Sequence, residues 1–170
     1  MTKPHAELRR ALGGFATGVT IVTAHDPGTP GAAALPATDV GLTVNSFSSV
    51  SLEPPLVLWC LARRAASFGA FERSSHYAVH VLGEQQQALS QRFASHGVDR
   101  FAGIEIERGP AGLPLIPGCV SRFVCRIRER HDGGDHVILL AEVEQFETAD
   151  QAPLLYLRGR YQRALPLDPG

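Results

Sequence analysis

The first apolar positions of the chain, Leu8, Ala11, Leu12 and Phe15, recur at i, i+3, i+4 and i+7, and Gly13-Gly14 interrupts them. That period predicts a short amphipathic helix over about residues 5–12. Val19-Thr20-Ile21-Val22-Thr23 is β-branched throughout and predicts a strand. The breaker-rich Asp26-Pro27-Gly28-Thr29-Pro30-Gly31 and the alanine run up to Pro36 then predict a long mobile loop. A strand follows over residues 40–47, and after Glu53-Pro54-Pro55 comes Leu56-Val57-Leu58-Trp59-Cys60-Leu61, whose unbroken apolarity suits a strand covered on both faces. Ser67 is placed to N-cap a helix running to about residue 73, residues 77–82 alternate as a strand, and a second helix spans about 84–93. Residues 95–118 carry glycine, proline and irregularly spaced apolar positions, which predict an extended loop with one or two short strands. Two long strands, 119–130 and 137–146, flank His131-Asp132-Gly133-Gly134-Asp135-His136, in which Asp-Gly is a hairpin signal. A last strand covers 154–163 with Tyr156 and Tyr161. Six or seven strands against three short helices predict a mainly β fold, a small antiparallel β-barrel with α caps, in one domain over residues 1–170.

Composition narrows the chemistry. Sixteen basic against seventeen acidic residues give a net charge of −1, and charged residues make up 19%. Neither nucleic acid nor an anionic membrane is an expected partner at that balance. Lys3 is the one lysine, so enzymes built on a P-loop, a Schiff base or a pyridoxal lysine lack their residue. G-x-G-x-x-G after a strand, G-x-S-x-G and H-E-x-x-H are also missing. Cys60, Cys119 and Cys125 form no C-x-x-C and are odd in number, which argues against a disulfide framework or thiolate zinc and for a reducing, cytoplasmic setting. No stretch approaches eighteen apolar residues and the amino terminus is polar, so neither a membrane span nor a signal peptide is expected.

The unusual stretch is Gly41-Leu42-Thr43-Val44-Asn45-Ser46-Phe47-Ser48-Ser49-Val50-Ser51-Leu52-Glu53-Pro54-Pro55, where hydroxyl and amide side chains crowd the end of an otherwise core-like strand. Short neutral donors at a strand end suit a planar heterocycle with several acceptors, such as isoalloxazine. The same residues would equally serve a turn that satisfies its own backbone.

Phe15-Ala16-Thr17-Gly18-Val19-Thr20-Ile21-Val22-Thr23, the Gly41 to Pro55 run, Leu56 to Leu61 and Gly134-Asp135-His136, in that order, resemble the flavin reductase family from about Leu8 to Tyr161. The resemblance implies the flavin-binding split barrel, an antiparallel, Greek-key-like barrel with short flanking helices. It implies a homodimer that oxidises NADH or NADPH, reduces FMN or FAD, and passes reduced flavin to a separate monooxygenase. By the same resemblance, Thr43, Val44, Asn45, Ser46, Ser48 and Ser49 contact the isoalloxazine and ribityl chain, and Cys60, Leu61 and Ala62 line the other side. Ser67 with Arg63 or Arg64 receives the flavin phosphate, which fits a helix start beside guanidinium groups. Arg92, Phe93 and Ala94 form the second flavin-contacting stretch, with helix packing as the alternative for Phe93. His136 sits near the nicotinamide as the catalytic positioning residue, and Tyr161, like Tyr156 and Arg158, approaches the dinucleotide.

The 25–38 loop is longer and richer in alanine and proline than the turn usual in such proteins. Three other readings compete. His131, Asp132, Asp135 and His136 could hold a surface metal, and Arg122, Arg126, Arg128 and Arg130 could form an RNA-binding face. A split barrel could also keep a tightly bound flavin or another cofactor and act directly on an organic substrate.

Overall fold

The computed structural model describes residues 3–30 and 36–165, so the centre of the 25–38 loop lies outside the described residues. Helix α1 (Lys3–Leu12) precedes β1 (Thr17–Gly18), β2 (Thr20–Asp26), β3 (Thr38–Val44), β4 (Ser48–Leu52) and β5 (Pro55–Ala62). Then come α2 (Phe68–Arg73), β6 (His76–Val81), a 3₁₀ turn (Glu84–Gln86), α3 (Gln87–Ala94), β7 (Glu107–Arg108) and β8 (Pro114–Leu115). The chain closes with β9 (Ser121–Gly133), β10 (His136–Thr148), β11 (Leu154–Leu157) and β12 (Arg160–Arg163).

Seven strands form one antiparallel sheet in the order β3-β2-β6-β9-β10-β5-β4. Its two edges are consecutive in the chain and are joined only by residues 45–47. Laid flat, seven strands at about 4.8 Å spacing would separate those edges by roughly 29 Å. Three residues reach little more than about 11 Å. The sheet therefore has to roll until its edges face one another, and since β3 and β4 share no ladder, the barrel stays split along that line.

Two expectations about strands change here. Residues 40–47 are not one strand, because the rolled sheet needs a break between its edges and takes it at Asn45-Ser46-Phe47. Residues 154–163 are a hairpin, turned at Arg158-Gly159 with φ of 50° and 78°. The long β9–β10 hairpin extends further than expected, to a two-residue turn with Gly134 in the left-handed region (φ 75°), where glycine carries no Cβ penalty.

The barrel interior is filled by alternate residues. In β5, Val57, Trp59 and Leu61 are buried while Leu58, Cys60 and Ala62 are half-buried, so this strand is covered fully on one face only. Trp59 makes edge contacts with Phe71 at 5.1 Å and Tyr77 at 5.9 Å between ring centroids. A second apolar layer lies outside β2, where Val19, Ile21, Leu82, Phe93, Ile116 and Leu154 cluster with Phe101, Tyr156 and Tyr161. Strand β2 is thereby buried on both faces. Phe93 is fully buried and meets Phe101 edge-on at 5.2 Å. Its ring lies against Gly41, where a Cβ would come within 2.8 Å of Phe93.

The outer face of β9 is an ion-pair lattice. Arg122 pairs with Glu107 and Glu147, Arg126 with Glu142 and Glu144, and Arg128 with Glu142. Arg130 donates to the carbonyls of Phe71, Glu72 and Ser74. The arginines that a rival reading would put on an RNA-binding face thus pair across the strands or donate to carbonyls.

His80, fully buried, ties the second layer to the barrel. Its Nδ1–H donates to the Ile21 carbonyl at 3.0 Å, and its Nε2 accepts from the Ile116 N–H at 3.0 Å. Those partners require the neutral ring, and burial pushes its pKa down to about 4. In the unfolded chain it titrates near 6.5. Because the folded value is the lower one, stability is intact above pH 6.5 and falls as pH drops toward 4, by about 3 kcal/mol in all. Asp26 acts in a separate window: hydrogen bonding to Arg73 holds its carboxyl below the ordinary 3.8, so its contribution is lost only below that value. Urea unfolding at intervals from pH 7 to 4 should show this slope, and His80→Gln should flatten it; an unchanged slope in the variant contradicts the assignment. Gly41→Ala should cost about 1–3 kcal/mol through the Phe93 contact, read as a lowered Tm, whereas an unchanged Tm would mean that Phe93 moves aside freely.

Candidate active site

The split is held at one end by a single hydroxyl. Strand β4 starts with Ser48 opposite Leu58, so Cys60, two residues further along β5 and opposite Ile138 of β10 on its other side, faces the 45–47 link with no partner in β4. The Ser46 Oγ accepts from the Cys60 N–H at 3.0 Å and donates to the Cys60 carbonyl at 3.4 Å, replacing the missing ladder. Beside it lies a hollow of about 1110 Å³, lined by Phe15, Thr17, Asn45, Ser46, Phe47, Ser48 and Tyr156 together with the end of α1. The Thr17 Oγ1 is buried in this wall and has no hydrogen-bond partner among the described residues. Such an orphan hydroxyl marks a place where a ligand can supply the missing bond.

A recess of about 190 Å³ adjoins the hollow through Asn45 and Tyr156, and adds Val19, Thr43, Val44, Ala94 and Tyr161. Its shape depends on a hydroxyl relay: Thr43 Oγ1 donates to the Ser90 carbonyl at 2.6 Å, and the Ser90 and Tyr161 hydroxyls bond at 2.8 Å. Thr43 and Tyr161 thus fix α3 between β3 and β12.

His136 opens β10 directly opposite Ala62, the last residue of β5, two positions beyond Cys60. Its Nδ1 bonds the Asp135 carboxylate at 2.7 Å, and its Nε2 has no partner among the described residues. That bond to His136 holds the Asp135 carboxyl below its ordinary range. The ring is partly exposed, and Asp135 almost wholly so.

A third hollow, of about 310 Å³, is lined by Asp39, Val40, Gly41, Ala66, Ser67 and residues 97–101. Ser67 precedes α2 but makes no capping bond with its side chain, so the expected N-cap is positional only. The guanidinium that shares this hollow with Ser67 belongs to Arg100. Arg63 turns to the β9–β10 turn instead, bonding the Gly134 carbonyl and Asp132, which face it across the β5–β10 pairing. No spacing connects residues 67 and 100, and Arg100 lies in a stretch without periodicity, so the sequence offered no signal for it.

The structure therefore gathers Thr43, Val44, Asn45, Ser46, Ser48, Ala94 and Tyr161 around the split, with Cys60 and Ala62 at its far wall and His136 next in register. It does not bring in every candidate side chain. Leu61 and Phe93 point into apolar core and can offer a ligand only backbone there. Ser49 is exposed, with its carbonyl taken by Ser48, and Arg92 donates to the Ala102 carbonyl at 2.7 Å, bracing the following loop. At the hairpin proposed as a metal alternative, His131 pairs with Glu129, Asp132 with Arg63 and His136 with Asp135. Among the described residues, no three metal-capable side chains converge.

Comparison with known proteins agrees with this architecture. An FMN reductase (NADH), SmoA, of Agrobacterium fabrum is 44% identical over 155 residues, covering 91% of this chain and 83% of its own. The reductase subunit HsaB of a flavin-dependent monooxygenase of Rhodococcus jostii is 42% identical over 154 residues, covering 90% and 74%. A solved NADH:FAD oxidoreductase of Streptomyces globisporus, in complex with NAD and FAD fragments, superposes with a TM-score of 0.86 at 37% identity over 99% of this chain and 96% of its own. Residues 12–165 match the family described as flavin reductase like domain, and with a split barrel built as above, the chain belongs to that family.

Proposed function

We propose that the protein is an NAD(P)H:flavin oxidoreductase that reduces FMN or FAD with NADH or NADPH and supplies reduced flavin to a separate monooxygenase component. The observation that carries this reading is the hollow at the split, walled by neutral donors and acceptors around the unpartnered Thr17 hydroxyl. A heterocycle rich in acceptors fits such a wall, and the volume suits a ligand of flavin size. The relatives' names supply the cofactors: FMN and NADH for one, FAD and NADH for another. HsaB is named as the reductase subunit of a monooxygenase, which supports delivery of flavin to a second protein.

When bound, the flavin provides the ring that accepts hydride from the dinucleotide. That chemistry asks the protein for stacking geometry and exclusion of water, with no general base. Asn45 and Ser48 would offer the flavin neutral donors and acceptors, and Phe47 and Tyr156 would offer it apolar wall. His136 is read as the positioning residue beside the nicotinamide, and its Nδ1 bond to Asp135 supports a fixed ring orientation.

The chain acts as one domain and as a homodimer. Leu8, Leu12 and Phe15 near the hollow and Leu52 on β4 are exposed, at 58%, 67%, 79% and 89%. A second copy would bury them and roof the hollow. Three free cysteines and the lack of any membrane-length apolar helix among the described residues support a cytoplasmic enzyme.

Loss of nicotinamide absorbance should require added flavin. His136→Ala should raise the KM for the dinucleotide by about tenfold while changing the KM for flavin far less. No oxidation with any pairing of dinucleotide and flavin contradicts the reductase reading, and an equal effect on both KM values contradicts the role of His136. Sedimentation should give twice the 18.3 kDa of one chain at micromolar concentration; a monomer would overturn the dimer.

A further inference from the structure

Ser75, His76 and Glu144 form a chain of polar contacts that flavin reduction leaves unused. The Ser75 Oγ lies 2.8 Å from His76 Nδ1, and the His76 Nε2 lies 3.4 Å from Glu144 Oε2. A carboxylate facing Nε2 keeps the ring proton there, which leaves Nδ1 bare to accept from the Ser75 hydroxyl. Hydroxyl, imidazole and carboxylate in that order are the arrangement that makes a serine nucleophilic. G-x-S-x-G is missing from the sequence, but the same three roles recur on unrelated folds without it.

The sheet brings the three together. His76 opens β6 opposite Arg126 of β9. Glu144, one strand further on, is the residue left without a partner where the β9–β10 register shifts between Val143 and Gln145. Such a bulge re-aims a side chain, and here one carboxylate reaches both Arg126 Nε, at 2.7 Å, and the His76 ring. Ser75 is exposed, yet its backbone is held from two sides. The Ser74 Oγ donates to the His25 carbonyl at 3.1 Å, and the Ile127 N–H donates to the Ser75 carbonyl at 2.9 Å.

Ser75 and His76 line a hollow of about 190 Å³ together with His25, Arg73, Ala111 and Leu113. Sites for drug-sized ligands start at about 300 Å³, so this one suits a short acyl chain. Arg73 grips Asp26 through Nε and Nη2, and its Nη1 has no partner among the described residues, which leaves a donor for charge developing on a carbonyl oxygen. Ala111 has a φ of 53°, in the left-handed region that a Cβ disfavours, and strain of this kind gathers at functional sites. The flavin cleft is elsewhere: Val19 in its recess and His25 lie six residues apart along β2 and the residue before it, about 20 Å at 3.3 Å per residue.

We propose that Ser75, with His76 as its general base and Glu144 as the positioning residue, forms a second and hydrolytic site, independent of flavin reduction, that cleaves esters of short carboxylic acids. The Ser75 Oγ bonds to the ester carbonyl carbon as its proton passes to His76 Nδ1. The bond to the alcohol oxygen then breaks, and that oxygen leaves with the proton from His76. Water attacks the acyl-Ser75, gives a proton to His76, and the carboxylic acid departs as Ser75 recovers its hydrogen.

Hydrolysis of p-nitrophenyl acetate by the full-length chain, with mass spectrometry of protein stopped during turnover, tests this. The wild type should release nitrophenolate faster than buffer alone and carry an acetyl group on Ser75. Ser75→Ala should lose that acetyl group and lower the rate by about a hundredfold, with the Tm of the wild type. His76→Gln should lower kcat by a similar factor. Glu144→Gln, which keeps the shape and removes the charge, should lower kcat about tenfold with KM unchanged and the acetyl group still on Ser75. Release no faster than buffer, release that Ser75→Ala retains, or acetylation of another residue with Ser75 free would overturn the proposal. If His76→Gln fails to fold, Ser75→Ala, at an exposed position, and Glu144→Gln decide.

Discussion

Closure of a seven-stranded sheet through a three-residue link is the constraint on which the rest of this structure depends. Strands β3 and β4 are the two edges of the sheet and are neighbours in sequence, so the sheet has to curl around its aromatic core until they meet. Full closure would pair them and leave no cleft. Instead the ladder stops short, Ser46 stands in for the absent partner at Cys60, and polar side chains that an ordinary strand would turn to solvent line a hollow. The cleft is a consequence of how the barrel fails to close.

The second apolar layer makes that cleft rigid. Phe93 presses on Gly41 inside the outer cluster, Thr43 and Tyr161 grip Ser90 from two strands, and His80 bonds β2 to the segment before β9. Several residues at the split therefore have two tasks. Thr43 and Ser46 hold the backbone in place with their own hydrogen bonds, so their substitution would disturb the cleft as well as any contact with a ligand. This layered arrangement places the chemistry on strand ends backed by packed core, where a stacking geometry is easiest to keep.

Much of this was legible in the sequence, for identifiable reasons. The β-branched run of β2 and the long alternations of β9 and β10 are set by local burial, and the polar crowding from Thr43 to Ser49 does mark the cleft. The break at Asn45-Ser46-Phe47 was not legible, since it contains neither glycine nor proline and is imposed by barrel closure. The turn that splits the last strand into a pair reads through as one strand, although Gly159 sits in it, and Arg158 in the left-handed region beside it carries no such mark. Arg63 illustrates the limit most clearly. It is close to Ser67 in sequence yet is drawn to Asp132 by the β5–β10 pairing, while Arg100 arrives in the same hollow from a loop more than thirty residues away. Periodicity reports which face of an element is buried, and it says nothing of which loops meet.

Hydrogen exchange of the full-length protein with and without saturating FMN measures most directly whether the split between the barrel edges is the flavin site. The account predicts slowed exchange of backbone amides in residues 41–48 and 60–62, on the two sides of the split. Protection confined to other segments, or exchange at the split unchanged while FMN is bound, would contradict it.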